Sequence, residues 1–454
     1  MKTSFSYRFV LLLFLISGIS GLIYQVVWVR MFGLVFGNTL FASSTVITAF
    51  MAGLCAGSIF AGKYLAKRND SLRLYAGMEL SIGIIGALMP VSIKIASFMY
   101  AWIYQSFDPS FAVLTGIRFC ISFVLLFMPC MFMGATLPLL SKYAADAPGG
   151  KAVAAAKLYG INTIGAVIGC FAAGFVLIKA FGVAETNFIA ASGNGIAAAG
   201  AYILFRKSAK KIAENRDAVE NTIPGALADR LPDAVFQKIV LLSCALSGFA
   251  ALSLEIAWTK ALARTFQLVW AYNADTYAFV TMLGILLAGI GAGSYLIALF
   301  IHRIKDATRL LCGTQLFLAM SVIASIHLLQ NPVIVKNNLN FLVNLPAVSG
   351  LTSFFVSLLG AQALMQALLG VLIIFTPAVL MGVSFPLYAA LFLNRTGNVV
   401  ASVGTVYAAN TLGGILGSLC AGFLLIPGIG LLPSTGLSAA LYCIAALCML
   451  FITR

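Results

Sequence analysis

The chain has 454 residues, 61% of them hydrophobic and only 9% charged. A soluble globular domain carries about 25% charged residues, so an ordinary water-soluble enzyme or binding domain is excluded and a polytopic membrane protein is expected. The net charge of +15 does not mark a nucleic-acid partner, because the basic residues fall mainly on one side of the predicted spans.

Apolar runs long enough to cross a bilayer, ~17–25 residues each, cover 9–29, 40–61, 73–97, 111–137, 153–180, 185–205, 237–259, 272–300, 308–328, 352–382, 400–426 and 430–452. None shows the alternation of a transmembrane barrel strand, so the spans are expected to be helices. The first follows Lys2 and Arg8 as a signal peptide would. No small-residue cleavage site closes it, however, and a related segment recurs at 243–260. With a cytoplasmic amino terminus, twenty-one Lys and Arg residues fall on the inner side, six on the outer side, and Arg118 inside a span. This places both termini in the cytoplasm. The polar stretch 207–236 is the expected cytoplasmic linker between a first six-helix half (1–206) and a second (237–454).

The two halves repeat one another. "SGISGLIYQVVWVR" (17–30) pairs with "SGFAALSLEIAWTK" (247–260), and "AGLCAGS" (52–58) with "AGIGAGS" (288–294). "RLYAGMEL" (73–80) pairs with "RLLCGTQL" (309–316), and "PCMFMGATLPL" (129–139) with "PAVLMGVSFPL" (377–387). "YGINTIGAVIGCFAAGF" starts at Tyr159 and "YAANTLGGILGSLCAGF" at Tyr407. Gly165 and Gly169, like Gly413 and Gly417, lie one turn apart on one helix face, where small residues let helix backbones approach in a membrane. Asn162, Thr163, Asn410 and Thr411 need polar partners in hydrocarbon and are expected to bond to a neighbouring helix. The prolines at 129, 138, 377 and 386 are expected to kink or end spans four and ten.

Six spans per half make the repeat parallel, related by an axis along the membrane normal. This arrangement resembles the major facilitator superfamily, which implies an all-α fold of twelve transmembrane helices with a site between the halves.

Ionisable residues at membrane depth are costly and point to function by default. Glu79, Arg118 and Glu255 stand out. In the repeat Glu79 aligns with Gln315, Gln25 with Glu255, and Arg118 with Gln366, so each half keeps one carboxylate and one amide at exchanged positions. Two readings stay open. In one, Glu79 and Glu255, with Gln25, Gln315, Asn162, Asn410 and Arg118, contribute to a solute or proton site between the halves. In the other, Glu79 pairs with Arg118, and Glu255 with Lys260 or Arg264, as structural ion pairs. Trp28, Trp102, Trp258 and Trp270 fall near predicted outer boundaries, where aromatic belts are ordinary. The nine cysteines show no metal-type spacing and are expected to behave as small hydrophobes. No catalytic constellation, cofactor motif or metal cluster is legible; "GIGAG" at 289–293 lies inside a span and reads as helix packing.

The signatures "SGxxxLxYQxxWxR", "MGxxxPLL" and "YxxNTxGxxxG" resemble the membrane module of bacterial fused membrane–spermidine-synthase-like proteins. They are carried here by Ser17, Gly18, Tyr24, Gln25, Trp28, Arg30, Met133, Gly134, Pro138, Leu139, Tyr159, Asn162, Thr163 and Gly165. The resemblance implies a soluble aminopropyltransferase-like domain after the last span, acting on a polyamine. No stretch of the sequence up to Arg454 reads as such a domain, so no transferase chemistry is expected of these residues. The resulting expectation is a transporter-like protein of a bacterial inner membrane, embedded in the lipid bilayer and handling a small, amine-bearing, polyamine-like cation. The alternative is a membrane anchor, scaffold or gate for a separate or truncated spermidine-synthase-like aminopropyltransferase.

Overall fold

The computed structural model describes residues 4–37, 40–65, 68, 70–144, 150–214, 233–270, 275–300, 303–304, 306–331, 337, 368–396 and 399–453. Among the described residues there is no strand, and twelve helices are long and apolar enough to cross a membrane. The first six are α1 (Ser4–Phe36), α2 (Leu40–Phe60), α3 (Ser71–Phe107), α4 (Phe111–Tyr143), α5 (Gly150–Phe171) and α6 (Val183–Glu214). The last six are α7 (Asp233–Trp270), α8 (Asp275–Phe300), α9 (Ala307–Gln330), α10 (Thr376–Thr396), α11 (Val399–Cys420) and α12 (Leu431–Thr453).

Span ten differs from its sequence expectation. The apolar run 352–382 suggested a helix ending before Pro386, whereas the described span is Leu368–Leu393 and residues 352–367 lie outside the described set. Proline does not end these helices: Pro129 and Pro138 are inside α4, and Pro386 is inside α10. In a packed membrane bundle, neighbouring helices can satisfy the carbonyls that a proline frees.

Contacts among the first six helices recur among the last six. In the first set α1 packs on α5 and α6, α2 on α4, and α3 on α4 and α6. In the second, α7 packs on α11 and α12, α8 on α10, and α9 on α10 and α12. Two extensive seams join the sets, α5 with α8 and α2 with α11, and the repeat exchanges one for the other. Thr48 Oγ1 donates to Ser418 Oγ at 3.2 Å across the α2–α11 seam, and Cys170 Sγ donates to the Val280 carbonyl at 3.6 Å across the α5–α8 seam.

The repeated glycines are where backbones touch. A Cβ on Gly165 or Gly169 would run into the carbonyl oxygen of Leu15 or Ile19 on α1. On Gly413 or Gly417 it would run into that of Ala245 or Phe249 on α7, the repeat-equivalent residues. Gly134 meets Leu54, and Gly382 meets Ile290, in the same duplicated way. Even the helix irregularities recur: α5 and α11 widen at Ala172–Leu177 and Ala421–Leu425, and each then breaks at a glycine with positive φ, Gly182 (90°) and Gly430 (88°). A side chain would be strained there.

Replacing Gly165 or Gly413 by leucine should therefore lower the detergent melting temperature, by about 1–3 kcal/mol equivalent or more for a side chain forced into backbone. Gly77→Ala, where a Cβ would meet nothing within 4 Å, should be neutral or slightly stabilising. Thermal unfolding of the purified variants checks both.

Candidate functional site

Between the two sets of helices lies a cavity of about 270 Å³. Its wall is built from equivalent stretches of the repeat: α1 and α7 contribute residues from Phe14 to Gln25 and from Ser247 to Glu255, while α5 and α11 contribute Tyr159 to Ala166 and Tyr407 to Thr411. The rest is mostly apolar, including Phe50, Met51, Leu54, Leu283, Leu286 and Leu287. Among the described residues, no lysine, arginine or histidine lines it.

The repeat explains why polar groups converge here. Gln25 and Glu255 occupy the same repeat position and are the last lining residues along α1 and α7. Glu255 is only 4% exposed, Gln25 only 5%, and Glu255 Oε1 has no hydrogen-bond partner among the described residues. The ion pairs suggested with Lys260 and Arg264 are not formed: Arg264 is exposed and Lys260 half-buried further along the same helix, and neither bonds the carboxylate. Asn162 and Asn410 also line the cavity. Their amide oxygens lie against Gly18 and Gly248, so the "SG" and "YxxNT" phrases meet each other, once in each set. The neighbouring threonines do not reach across helices as expected; Thr163 and Thr411 donate to the carbonyls of Tyr159 and Tyr407, one turn back, at 2.8 and 2.7 Å. A hydroxyl on a helix can satisfy itself in this way without a partner helix.

Glu79 is elsewhere. It is completely buried among α1, α3 and α6, accepting from Ser17 Oγ at 2.6 Å and Asn194 Nδ2 at 2.7 Å. Ser17 lines the cavity, so Glu79 stands one layer behind the wall. Arg118 is not its partner: the guanidinium donates to the Tyr100 hydroxyl at 2.9 and 3.0 Å and does not line the cavity. Gln315, the counterpart of Glu79, donates to Ser384 Oγ at 3.2 Å and to the Tyr388 hydroxyl at 3.3 Å, and both of those residues line the cavity. Gln366 lies outside the described residues. The structure thus brings Gln25, Glu255, Asn162 and Asn410 to one cavity, sets Glu79 and Gln315 behind it, and leaves Arg118 apart.

Two tryptophans leave the aromatic belt suggested for them. Trp28 and Trp258 are fully buried; Trp28 stacks on Tyr24 at 4.7 Å and donates its indole N–H to Asn187 Oδ1 at 2.9 Å. Trp102 is exposed. Several residues at or behind the wall carry no sequence signal as a group: Asn194, Tyr388 and an aromatic cluster at the other end of the cavity from Glu255. In that cluster Tyr159 stacks on Phe385 from the opposite set at 4.6 Å, and Phe385 meets Tyr407 edge-on at 5.9 Å. The sequence singles out Asn194 as one of two amides in an apolar span, with Asn187, and Tyr159 and Tyr407 as the first residues of the repeated phrase.

No protein-family model matches the chain, and no curated protein matches it in sequence. Solved structures do match in fold. A bacterial homologue of the iron transporter ferroportin, in its outward-facing state, superposes with a TM-score of 0.61 at 12% identity over 99% of both chains. The E. coli fucose:proton symporter gives 0.53 at 11% identity, also over 99% of both. An auto-inhibited peptide transporter of the POT family gives 0.53 at 13% identity, over 99% of this chain and 96% of that one. The fold is that of the major facilitator superfamily transporters.

Asn194→Leu removes a donor from a buried carboxylate and should destabilise the protein by about 1–3 kcal/mol or more. Glu79→Gln keeps groups able to bond Ser17 and Asn194 and should cost less. Comparing their melting temperatures decides whether this network holds Glu79 in place.

Proposed function

We propose that this chain is a transporter for a small, amine-bearing cation in a bacterial inner membrane, with both termini cytoplasmic. The solute binds between the six-helix halves 1–206 and 237–454, joined by the linker 207–236. The carrying observation is Glu255: a buried carboxylate on the wall of the cavity, one oxygen of which has no hydrogen-bond partner among the described residues, while no described basic side chain lines that cavity. An uncompensated buried charge is strongly destabilising, and a bound cation supplies the missing counter-charge. Gln25, Asn162 and Asn410 offer amides at the same wall, where a few placed polar groups orient a ligand in an otherwise apolar pocket.

Movement follows from the seams. In proteins built from such repeats, access alternates when one bundle rocks against the other around a midplane site. Here the α2–α11 and α5–α8 seams are the surfaces that would part and re-form. Known transporters with this fold support the transport reading. The resemblance to membrane–spermidine-synthase-like proteins makes polyamines one class of solute to test. A scaffold role for a separate transferase, docking on the basic stretches 62–73 and 206–238, is the reading to adopt if transport fails.

The test is uptake into proteoliposomes of radiolabelled putrescine and of a labelled monoamine. Wild-type protein should accumulate at least one of them above empty liposomes, and Glu255→Gln should reduce the rate about tenfold or more, the loss of roughly 1.4 kcal/mol or more of interaction. Uptake of neither solute sinks the transport reading for amines.

A further inference from the structure

We infer that the cavity selects an amine bearing a single positive charge on an apolar body, and discriminates against polyamines. This rests on the proposed cation-transport reading and narrows its substrate class.

Three observations carry it. The first is charge count. Of the two carboxylates in the interior of the spans among the described residues, Glu255 lines the cavity and Glu79 does not. Glu79 is completely buried behind Ser17, with both oxygens engaged by Ser17 and Asn194. Glu255's repeat equivalent on the opposite wall is the neutral Gln25. A second ammonium in the cavity would meet no counter-charge, and taking a charge out of water without a partner is heavily unfavourable.

The second is polarity along the cavity. Gln25 and Glu255 are the last lining positions on α1 and α7, while Phe14 lies eleven residues earlier on α1. At 1.5 Å per residue the lining runs for ~16 Å along that helix. The end opposite Glu255 is lined by the Tyr159, Phe385 and Tyr407 rings, and the wall between carries leucine, phenylalanine and methionine together with the neutral amides of Asn162 and Asn410 and the hydroxyls of Ser17 and Ser247. An ammonium at Glu255 leaves the rest of the molecule on uncharged surface, largely apolar apart from those amides and hydroxyls. Burying an apolar body there is favourable, whereas a chain with a second charged nitrogen is not. Aromatic faces do attract cations, but more weakly than a buried carboxylate does.

The third is size. A volume of about 270 Å³ lies just below the usual range of small-molecule pockets, ~300–1,000 Å³. It suits a compact amine.

The experiment is a ligand-dependent melting series on the full-length protein in detergent. It uses 2-phenylethylamine, its neutral counterpart 2-phenylethanol, putrescine and spermidine, each titrated against wild type, Glu255→Gln and Gln25→Glu. A ligand that binds only the folded state raises the melting temperature once its concentration exceeds its dissociation constant. Phenylethylamine should give a saturable shift with an apparent affinity about tenfold or more tighter than either polyamine, and phenylethanol should give little. Glu255→Gln should remove the shift. Gln25→Glu, which places a second carboxylate at the equivalent position, should move the preference towards putrescine, and it keeps the test decisive if Glu255→Gln does not fold.

Tighter binding of spermidine or putrescine than phenylethylamine by wild type overturns the single-charge inference while leaving cation transport standing. Equal shifts with phenylethylamine and phenylethanol overturn recognition of charge. No shift with any amine overturns both the inference and the transport reading beneath it.

Discussion

Lipid tails are as apolar as leucine, so the hydrophobic effect that drives soluble helices together is absent between helices in a bilayer. In this protein close approach of backbones takes its place. Gly165 and Gly169 press α5 against the carbonyls of Leu15 and Ile19, Gly134 presses α4 against Leu54, and each contact is made again in the last six helices by Gly413, Gly417 and Gly382. The helix pairs so formed hold the polar residues of α1, α5, α7 and α11 at fixed positions. Without that approach, Asn162 could not lie against Gly18, nor Asn410 against Gly248.

The repeat has also divided the work of its polar residues. At one repeat position stand Gln25 and Glu255, on the cavity wall; at another stand Glu79 and Gln315, behind it. Behind the wall a carboxylate is tolerable because Ser17 and Asn194 both donate to it, and satisfied buried polar groups are stable where orphaned ones are not. At Glu255 no group among the described residues satisfies Oε1. A duplicated architecture with unduplicated charge makes the cavity electrically one-sided, which a symmetric pair of carboxylates would not.

The seams give this arrangement its mechanical meaning. The contacts joining the two sets of helices are small and adaptable: a hydroxyl pair at Thr48 and Ser418, a thiol on a carbonyl at Cys170, and the stacked rings of Tyr159 and Phe385. None is a buried ion pair. Such contacts separate at lower cost than a network of desolvated charges, although glycines bring the seams close as well, as where a Cβ on Gly404 would meet the Ser58 carbonyl oxygen. Rigid units joined by modest seams are what rocking motion between two bundles needs.

The sequence by itself determined that the chain spans a membrane with twelve helices, because sustained apolar length has no other stable solution. It also determined where the backbones meet, because a repeated glycine one turn from another has few purposes in lipid. The exchanged carboxylates and amides were visible as aligned residues. Which carboxylate faced the cavity was not. Glu79 and Glu255 look alike in a run of apolar letters, and their different fates depend on Ser17 and Asn194, which reach Glu79 from other helices. The same holds for Trp28, which reads as a boundary residue yet is buried, because Asn187, 159 residues away, supplies an acceptor for its N–H. Period and composition act along one helix and can be read there; the partner of a buried polar group comes from another helix, and only the packed bundle decides it.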